Sequence, residues 1–582
     1  MELILNHLKT IGYDVFWEVE KDLLVVKHTI AEREVQFCHL INESSYQPLY
    51  LPSFYVLDIK ELMPLAHVLL VNDENFRDRG LVCVGDHESL SINFERPELV
   101  FEASIQRHIS MLSKAITDPN WNKQELLREF RSNWGMIATE RKHGLILPPN
   151  LQVNDNLTFI VKTPISGCSY GMDSSYIGVS NEASNEKSPT KITLSALSNQ
   201  RKTAGDAVII PIQSLRPAPF EGSGLIEWYL SMLDDLNEQT FNFLKSIAQY
   251  RRDKFWLVFC ADTPSGLTWF GLYFQFRKRK KKAPLPLKQD SLDNWKLSAI
   301  KVTPYSQDFV APRGGAASEL KDKRVLQVGC GSVGGQLAMQ LAASGVGCID
   351  LFDPDTYEIE NLYRHCIPEY FTGFAKSSAL KAQIESQYLW CAVRAFQLKL
   401  VDLQLKELLE SYDLIVIAIG APTHERFFKD FLEKEKVNVA VIYTWLEGYG
   451  VGGHAVLDLA DKVGCVKCAY IDHSKGELGL SSNLNFIEAG QEITTNHAGC
   501  GQNFLPYSAN CSTQTALIAS DVAGKYLLGR LSESSKVSWK GDNLDAKQAG
   551  IKTTYRYKSF TQSLMIEPLY VEGCVCGELQ SD

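Results

Sequence analysis

The sequence has no long apolar run and no excess of positive charge. No stretch approaches the roughly 18 consecutive apolar residues that a bilayer-spanning helix needs, so we expect no membrane segment. The 59 Lys and Arg residues against 69 Asp and Glu residues give a net charge of −10. This balance argues against general binding to nucleic acids or to anionic membranes. The first residues, MELILNHLKTIGYDVFWEVEKD, include early acids and lack a cleavage-site pattern, so we expect a cytoplasmic protein without a signal peptide.

Repeats and a dense disulfide framework are also missing from the sequence. The 14 cysteines are scattered over 582 residues, and in a cytoplasmic chain we expect thiols. A chain of this length is too long for one core, so about three or four domains are expected.

The secondary-structure pattern divides the chain into three regions. Residues 1–150 combine short strand-like runs with a long helical tail, which is typical of an α+β domain. Residues 151–312 form a mixed linker domain with strand-like runs. Residues 313–582 follow the order strand, glycine turn, helix, strand, which indicates an α/β domain.

The strongest local signal is the stretch VLQVGCGSVGGQLAMQLAASGVGCIDLFDPDTYEIENLYR, which begins at Val325. Gly329, Gly331 and Gly334 form G-x-G-x-x-G between an apolar strand and an apolar-periodic helix. Such glycines let a phosphate approach the backbone N–H groups at a helix N-terminus. Asp353 ends the next strand about 20 residues further on, where a carboxylate can accept ribose hydroxyls. The stretch therefore predicts a nucleotide site.

Two cations beyond Asp353 indicate which nucleotide is bound. A nicotinamide cofactor carries a pyrophosphate that the helix N-terminus already holds, whereas a triphosphate needs further positive charge. Arg364 and Lys376 supply that charge, which favours ATP over NAD. The alternative is that both residues pair with Glu358 and Glu360 at the surface.

The order of these motifs resembles that of the ThiF/MoeB/ubiquitin-activating-enzyme superfamily. The matching elements are the glycine loop, Asp353-x-Asp355, Glu360-Asn361-Leu362-x-Arg364 and Gly373-x-x-Lys376. The resemblance implies a Rossmann-type fold that uses ATP and Mg²⁺ to adenylate the C-terminal carboxylate of a protein.

The resemblance also implies roles for single residues. Asp353 is expected to bind the ribose or adenosine, and Asn361, Arg364 and Lys376 are expected to clamp the triphosphate. The family forms dimers in which one subunit lends an arginine to the other, and Arg313 in VAPRGG resembles that arginine.

The sequence departs from the family pattern at two places. His365 replaces the usual Gln, and Ala421 follows the strand DLIVIAIG where many relatives place a Mg²⁺-binding Asp. Asp355 is the substitute that we expect to hold Mg²⁺.

An activating enzyme often passes the acyl group from AMP to its own thiol, because a thiolate attacks a mixed anhydride readily. Cys500 lies between two glycines and resembles the catalytic cysteine of bacterial relatives. Cys511 opens the next helical pattern and is the alternative. Both thiols can also be ordinary loop and core residues.

Two further cysteine pairs suggest a structural zinc site. Relatives often hold zinc with two C-x-x-C pairs, whereas this chain has Cys465-x-x-Cys468 and Cys574-x-Cys576, the second pair being one residue shorter. Buried or redox-paired thiols are the alternative.

The N-terminal region contains Pro-Leu-Ala-His67-Val and Gly-Leu-Val-Cys83. A cysteine in such a setting is usually a buried apolar residue. The pattern nevertheless resembles bacterial ubiquitin-conjugating-like domains, in which a Pro-x-His strand precedes a Gly-x-x-Cys active site. By that resemblance Cys83 is the transfer cysteine, and His67 orients the loop or polarises the thioester. Asp86 and His87 are candidates for handling the proton of the acceptor lysine.

The order of conjugating-type, linker and activating-type domains resembles the fused activating–conjugating enzyme of bacterial CBASS antiphage operons. The resemblance implies that the C-terminus of a cGAS-like nucleotidyltransferase (CD-NTase) is adenylated, relayed through two cysteines and joined to a protein lysine. A homodimer is expected. The alternatives are a ThiF/MoeB-like adenylyltransferase of sulfur or cofactor biosynthesis, a non-catalytic scaffold and, more distantly, an NAD oxidoreductase.

Overall fold

The computed structural model divides the chain into two compact units that meet at the boundary between Ser306 and Gln307. It describes residues 2–42, 49–71, 78–85, 90–138, 144–148, 151, 158–162, 176–180, 203–278, 281–473, 476–478, 481–496 and 503–580. Within this described part, no helix is both long and apolar enough to cross a membrane.

The first unit begins with an antiparallel sheet. Its strands are β1 (Asp14–Glu18), β2 (Leu23–Ile30), β3 (Arg33–Leu40), β4 (Tyr55–Val56), β5 (Val68–Val71) and β6 (Arg79–Val82). They lie in the order β1-β2-β3-β4-β6-β5. Strands β5 and β6 pair so that Val68 lies opposite Val82. This register places the residues just before β5 beside those just after β6.

Four helices accompany or follow this sheet, and the last of them packs into the core of the next sheet through Phe130 and Trp134. They are α1 (Glu2–Thr10), α2 (Pro97–Thr117), α3 (Pro119–Arg128) and α4 (Phe130–Ile137). The sequence predicts one long helical tail here, and the structure breaks it into three helices. Asp118 ends α2, and its side chain caps α3 by accepting the N–H of Trp121. Pro119 follows at a first helical position, which proline tolerates because its missing N–H would be unpaired there. The predicted α+β class of this region is confirmed.

A second sheet in the first unit contains the linker region. Its strands are β7 (Leu145–Ile146), β8 (Thr158–Lys162), β9 (Tyr176–Ser180), β10 (Thr203–Ile212), β11 (Lys254–Thr263), β12 (Gly266–Phe276), β13 (Trp295–Ile300) and β14 (Val302–Thr303). Their order is β13-β12-β11-β10-β8-β9-β7-β14. The helices are α5 (Leu225–Asp234), α6 (Glu238–Ala248) and α7 (Gln289–Leu292).

The second unit is built on a mixed sheet. Its strands and those of two small hairpins are β15 (Arg324–Val328), β16 (Cys348–Phe352), β17 (Ala392–Phe396), β18 (Leu414–Ile417), β19 (Val441–Glu447), β20 (Gly452–Asp458), β21 (Ile471–Asp472), β22 (Gly476–Glu477), β23 (Thr495–Asn496), β24 (Asn503–Phe504), β25 (Ser535–Lys540) and β26 (Leu564–Pro568). The main order is β17-β16-β15-β18-β19-β20-β25-β26. The neighbouring strands β17, β16, β15, β18 and β19 are parallel to one another.

Helices cover this sheet on both faces. They are α8 (Gln307–Val310), α9 (Ser332–Ala343), α10 (Lys376–Gln387), α11 (Lys406–Leu409), α12 (Pro422–Lys434), α13 (Ala509–Leu527), α14 (Leu544–Gln548) and α15 (Tyr555–Ser559). Neighbouring residues of β15 enter different cores, because Val325 packs with α9 and α13 while Leu326 packs with α12. Strands buried on both faces read as continuous apolar runs. The predicted α/β, Rossmann-type arrangement of this region is confirmed.

Parallel strands end at one edge of the sheet, and a doubly wound fold binds ligands there. Strands β15, β16 and β18 end at Val328, Phe352 and Ile417, and the loops that follow them converge at this edge.

Candidate functional site

The glycine loop after β15 has the tight turn that the motif predicts. Gly329 has φ +97°, a conformation that glycine adopts without strain. At Gly334 a Cβ atom would lie 2.0 Å from the carbonyl oxygen of Gly329, so helix α9 packs directly against the loop. The buried Gln327 amide donates to both of these glycine carbonyls, at 3.1 and 2.7 Å. The loop is therefore held from within the sheet.

Asp353 braces the same loop. Its carboxylate accepts the N–H groups of Cys330 at 2.6 Å and of Asp355 at 2.9 Å. The side chain is 5% exposed, and burial raises the pKa of this carboxyl although both hydrogen bonds favour the charged form. Asp353 thus positions the glycine loop in addition to facing the cavity above it.

A cavity of about 380 Å³ lies at this edge of the sheet. The structure brings five of the predicted residues to its wall, namely Gly329, Gly331, Asp353, Asp355 and Lys376. Lys399 and His424 also line the cavity. Sequence reasoning missed both residues, because neither belongs to a nucleotide-binding motif.

Lys376 does not pair with Glu358 or Glu360 in the described structure. Its Nζ lies 2.9 Å from Oδ2 of Asp355, and this aspartate is 63% exposed at the cavity while the lysine is 13% exposed. The positive charge of Lys376 is therefore held at the cavity wall, where it suits an anionic ligand.

Asn361 and Arg364 are outside the residues that line the cavity. Asn361 Oδ1 accepts the N–H of Glu358 at 3.0 Å and so shapes the preceding turn. The Arg364 guanidinium lies over the ring of Tyr507, 5.6 Å from its centre, and the Tyr507 hydroxyl is 2.7 Å from Ser332 Oγ. This chain of contacts joins Arg364 to the start of α9.

The two departures from the family pattern have structural consequences. Burial, with Lys376 and Arg364 nearby, lowers the pKa of His365 to about 4, so the imidazole is neutral. Its Nδ1 is buried and has no hydrogen-bond partner among the described residues. Near Ala421 the buried Glu425 accepts the Ala421 N–H at 3.2 Å, and burial raises the pKa of Glu425 to about 7. Glu425 therefore caps helix α12 and does not line the cavity.

The structure describes only some of the residues that the sequence assigns to the other steps. Arg313 is exposed on a short turn of 3-10 helix, Ala311–Gly314. Cys500 lies outside the described residues. Cys511 lies in the first turn of α13, where it is 8% exposed and its Sγ is 3.3 Å from Ser508 Oγ.

The structure brings Cys465, Cys468, Cys574 and Cys576 together. The four buried Sγ atoms lie within 4.8 Å of one another. The sulfurs of Cys465 and Cys574 are 3.7 Å apart, and those of Cys468 and Cys576 are 3.6 Å apart. Four sulfurs about 2.3 Å from a tetrahedral zinc are about 3.8 Å apart, so the donor set fits this ion.

The described part of the N-terminal unit pairs Cys83 with His67. The backbone N–H of Cys83 donates to the carbonyl of His67 at 2.8 Å, as the pairing of β5 with β6 dictates. The thiol also hydrogen-bonds the imidazole, which lowers the pKa of Cys83. Cys83 is exposed, so a charged sulfur there is open to reaction.

Glu129 holds His67 from the other side, and sequence reasoning missed it. Its Oε1 lies 2.7 Å from His67 Nδ1, and its Oε2 accepts the backbone N–H of His67 at 3.1 Å. The imidazole donates hydrogen bonds to Cys83 and to Glu129, and these, in that order of size, raise the pKa of His67 to about 10. Burial opposes ionisation of Glu129, but the contact with His67 outweighs it and lowers the carboxyl pKa. Cys83, His67 and Glu129 are therefore connected in a row as thiol, imidazole and carboxylate.

An open groove of about 690 Å³ lies beside this cysteine. It runs along α2 between Val84 and Trp121, with Arg107 and Lys114 on its wall. The Trp121 ring packs against His67 with the ring centres 6.0 Å apart. Asp86 and His87, which the sequence offers for the lysine proton, lie outside the described residues.

Comparison with known proteins identifies the class of the second unit. Residues 307–530 match the model of the ThiF family. Residues 307–530 of the C-terminal unit are therefore similar to the ThiF family, as the order of their motifs predicts.

The chain is similar to particular members of this class. It is 29% identical over 210 residues to the ATP-dependent ubiquitin transferase-like protein Cap2 of Escherichia coli (strain TW11681), which covers 34% of each chain. It is 28% identical over 212 residues to the Cap2 protein of Vibrio cholerae serotype O1, 35% of each chain. It is also 26% identical over 188 residues to the adenylyltransferase and sulfurtransferase UBA4 of Lodderomyces elongisporus, 31% of this chain and 40% of that one. These matches confirm the predicted family resemblance, and the chain spans about a third of the length of the two Cap2 relatives.

A solved structure shows a weaker likeness. The crystal structure of E. coli MccB with ATP matches at 18% identity and a TM-score of 0.32, over 44% of this chain and 68% of that one. A score this low carries no inference about the site.

Proposed function

We propose that this chain uses ATP to adenylate the C-terminal carboxylate of a protein and passes the acyl group through cysteines to an amine. The observation that carries the proposal is the presence of two different chemical sites in one chain. A glycine-loop cavity lies in the part that matches the ThiF family. An exposed cysteine paired with a histidine and a glutamate lies in the N-terminal unit.

The adenylation step joins two anions, the carboxylate and the α-phosphate. Fixed cations lower that barrier because they offset the charge that builds up in the transition state. Lys376 provides such a charge at the cavity wall. The family motif assigns Arg364 and Asn361 to the same triphosphate, although neither side chain lines the cavity in this structure. Arg313 is assigned to the partner subunit's site in a homodimer. The glycine loop presents the N–H groups of α9 to phosphate oxygens.

Asp355 would hold Mg²⁺ in this site. Its carboxylate oxygens are the kind of ligand that Mg²⁺ prefers, and they lie at the cavity wall with 63% of the side chain exposed. When bound, the ion supplies further positive charge to the phosphates.

The thioester steps follow from the chemistry of the cysteines. Cys500 takes the acyl group from the adenylate and releases AMP, with Cys511 as the alternative. Cys511 is buried, with 8% of the residue exposed. Cys83 receives the acyl group from the first thiol and transfers it to an acceptor amine, for which we propose a protein lysine.

The donor and its setting are assigned by the resemblance to the CBASS enzymes. We propose the C-terminus of a CD-NTase as the donor, in bacterial antiphage defence. The N-terminal region is assigned a ubiquitin-conjugating-like role over residues 1–150, followed by a linker domain to residue 312. The similarity to relatives named ATP-dependent ubiquitin transferase-like proteins supports this choice.

We also propose that the four-cysteine cluster binds a structural zinc. Cys574 and Cys576 belong to the last residues of the described chain, so the ion would pin this segment to the α12 side of the domain. Metal analysis of the purified protein is expected to find about one zinc per chain, and Cys574→Ser is expected to lose it. A wild-type protein without zinc would contradict this assignment.

Donor-dependent exchange of pyrophosphate into ATP tests the first step. We expect exchange with wild type and the CD-NTase, and none when the donor's last residues are removed. Lys376→Gln is expected to lower the exchange rate about a hundredfold, the effect of removing one stabilising charge from a transition state. Lys381→Gln is the matched control, because Lys381 lies on the same helix and pairs with Glu385 away from the cavity. Exchange that survives removal of the donor C-terminus would contradict the proposal.

A second candidate is an adenylyltransferase of sulfur or cofactor biosynthesis. The similarity to relatives named adenylyltransferase and sulfurtransferase favours it. That function needs no transfer cysteine in the N-terminal unit, so Cys83→Ala would keep full activity. A Cys83→Ala variant that no longer formed the reaction product would exclude this biosynthetic function.

A further inference from the structure

Glu129 and His67 are joined to Cys83 in a way that the transfer of an acyl group between thiols does not require. A thiol pairs with an imidazole in many settings, but here a carboxylate also fixes the ring through two contacts. Glu129 reaches both Nδ1 and the backbone N–H of His67. Because Nδ1 carries its proton toward Glu129, Nε2 is the nitrogen left to pair with the thiol. His67 itself has φ +59°, an unusual conformation for a residue with a Cβ atom.

The conformation is held by the surrounding elements. The His67 carbonyl accepts from Cys83, the His67 N–H donates to Glu129, and the Trp121 ring packs on the imidazole. Strained backbone that is fixed from several sides is typical of sites where a side chain must point in one direction. The geometry therefore favours a chemical role for the ring over a packing role.

We propose that His67 is the general base that takes the proton of the acceptor amine, and that Glu129 is the residue that positions it. The proposal rests on the proposed function, because it describes how the Cys83 thioester is used.

The protons balance over the two steps. In the resting site the thiolate of Cys83 faces an imidazolium. When the thiolate attacks the incoming thioester, a new C–S bond forms, the old C–S bond breaks, and the departing thiolate takes the proton of His67. The imidazole is then neutral beside the acyl-sulfur. A neutral amine attacks the carbonyl carbon, the C–N bond forms, the amine proton passes to His67 and the electron pair of the C–S bond returns to Cys83. The products are the amide and the original ion pair.

The electrostatics of the site support this switch. The largest cause of the raised His67 pKa is the hydrogen bond between the imidazole and Cys83. Acylation removes the negative charge of the sulfur that accepts this bond. In the acyl form the His67 pKa is raised mainly by Glu129, with a smaller part from Glu125. The imidazolium therefore loses its proton more readily in the acyl form than in the resting form. A base whose pKa falls toward the working pH when the substrate is loaded suits proton transfer.

The other charged groups around the ring play smaller parts. Glu125 Oε1 is 3.6 Å from Nε2 and its other oxygen pairs with Arg128 at 3.2 Å. Lys114 lies over the far ring of Trp121, 4.5 Å from its centre. Arg107 is on the wall of the groove. Among the described groups, Glu129 therefore makes the short contact with the imidazole.

Discharge of a thioester on Cys83 tests the proposal in the full-length protein. Cys83 is acylated with the acetyl thioester of N-acetylcysteamine, free lysine is added as the amine, and the Cys83 peptide is followed by mass spectrometry between pH 6 and 10. We expect the wild-type rate, divided by the fraction of lysine that is neutral at each pH, to rise with pH to a plateau. His67→Gln is expected to lose about a hundredfold at the plateau, the usual contribution of a general base, and to follow the ionisation of lysine alone.

Variants of Glu129 separate positioning from folding. Glu129→Gln is expected to slow discharge about tenfold and to move the inflection to lower pH, because the imidazolium loses its stabilising carboxylate. Glu129→Asp is expected to recover part of the rate and of the inflection. Glu102→Gln is the matched control, since it removes a carboxylate that pairs with His7 at 2.7 Å elsewhere in the same unit.

Three results would overturn the proposal. They are an unchanged pH profile in His67→Gln, an equal loss in Glu129→Gln and Glu102→Gln, and a wild-type Cys83 that the thioester does not acylate. Failure of the proposed function is a different result: ATP and donor would not load Cys83, although the small thioester would.

Discussion

At the scale of residues, exposure separates two similar arrangements. Glu447, His454 and Ser538 are linked like Glu129, His67 and a nucleophile, with contacts of 2.8 Å on each side of the His454 ring. His454 is fully buried, however, and Glu447 also accepts the N–H groups of Phe486 and Ile487. That set joins strands and a loop, whereas the Cys83 sulfur is open to reactants.

The charged pair at Cys83 predicts unusual reactivity toward alkylating agents. His67 lowers the pKa of the Cys83 thiol, so more thiolate is present at neutral pH than at an ordinary cysteine. We expect iodoacetamide to modify Cys83 at pH 6.5 about tenfold faster than it modifies Cys83 in His67→Gln. The rates should converge above pH 9, where the thiol ionises without help.

Peptide mapping of the alkylated protein checks this, with the buried Cys511 as an internal reference. Equal rates at pH 6.5 in wild type and His67→Gln would mean that the two side chains do not share a proton.

The sequence predicts two of the three residues at this site. His67 and Cys83 stand in a recognisable motif. Glu129 follows His67 by 62 positions and lies between α3 and α4, where the charged residues of the sequence give no sign of which one turns inward. Only the tertiary fold brings Glu129 to the imidazole of His67. A single sequence does not encode that contact in any local pattern.

At the scale of elements, the glycine loop is the part that the sequence predicts best. The run CIDLF matches β16 (Cys348–Phe352) in full, because a strand covered on both faces is mostly apolar. Its one charged residue, Asp350, is fully buried and accepts a hydrogen bond from Arg394 at 2.7 Å. Arg364 shows the limit of such reasoning. The motif places it near the phosphates, but its guanidinium lies over Tyr507, which is far away in sequence.

Two glycines of this loop predict different mutant behaviour. A Cβ at Gly331 would have no atom within 4 Å and would point into open space at the cavity wall, whereas a Cβ at Gly334 would clash with the Gly329 carbonyl. We expect Gly331→Ala to weaken ATP binding about tenfold with little change in Tm. Gly334→Ala should lower the Tm by several degrees, as overpacking costs about 1–3 kcal/mol.

Thermal unfolding with and without ATP distinguishes the two variants. If Gly331→Ala bound ATP as wild type does, the cavity at the glycine loop would not be the nucleotide site.

At the scale of the whole molecule, one chain combines a ThiF-type unit with an N-terminal unit that carries an activated thiol. The motifs predict the class of the C-terminal unit and many of its candidate site residues. The N-terminal unit is predicted by resemblance alone, because short antiparallel strands and the helices beside them carry few local signals of function. The two sites together are the reason to propose a relay in place of adenylation alone.

Intact mass without reducing agent, after mixing the protein with ATP, Mg²⁺ and the CD-NTase, tests the relay most directly. We predict an ATP-dependent, thiol-labile adduct in wild type, an adduct held on Cys500 in Cys83→Ala, and no adduct in Cys500→Ala. Cys348→Ala serves as the control, as this partly exposed thiol belongs to neither site. An adduct that forms in every variant, or an adenylate with no thioester in wild type, would contradict the relay.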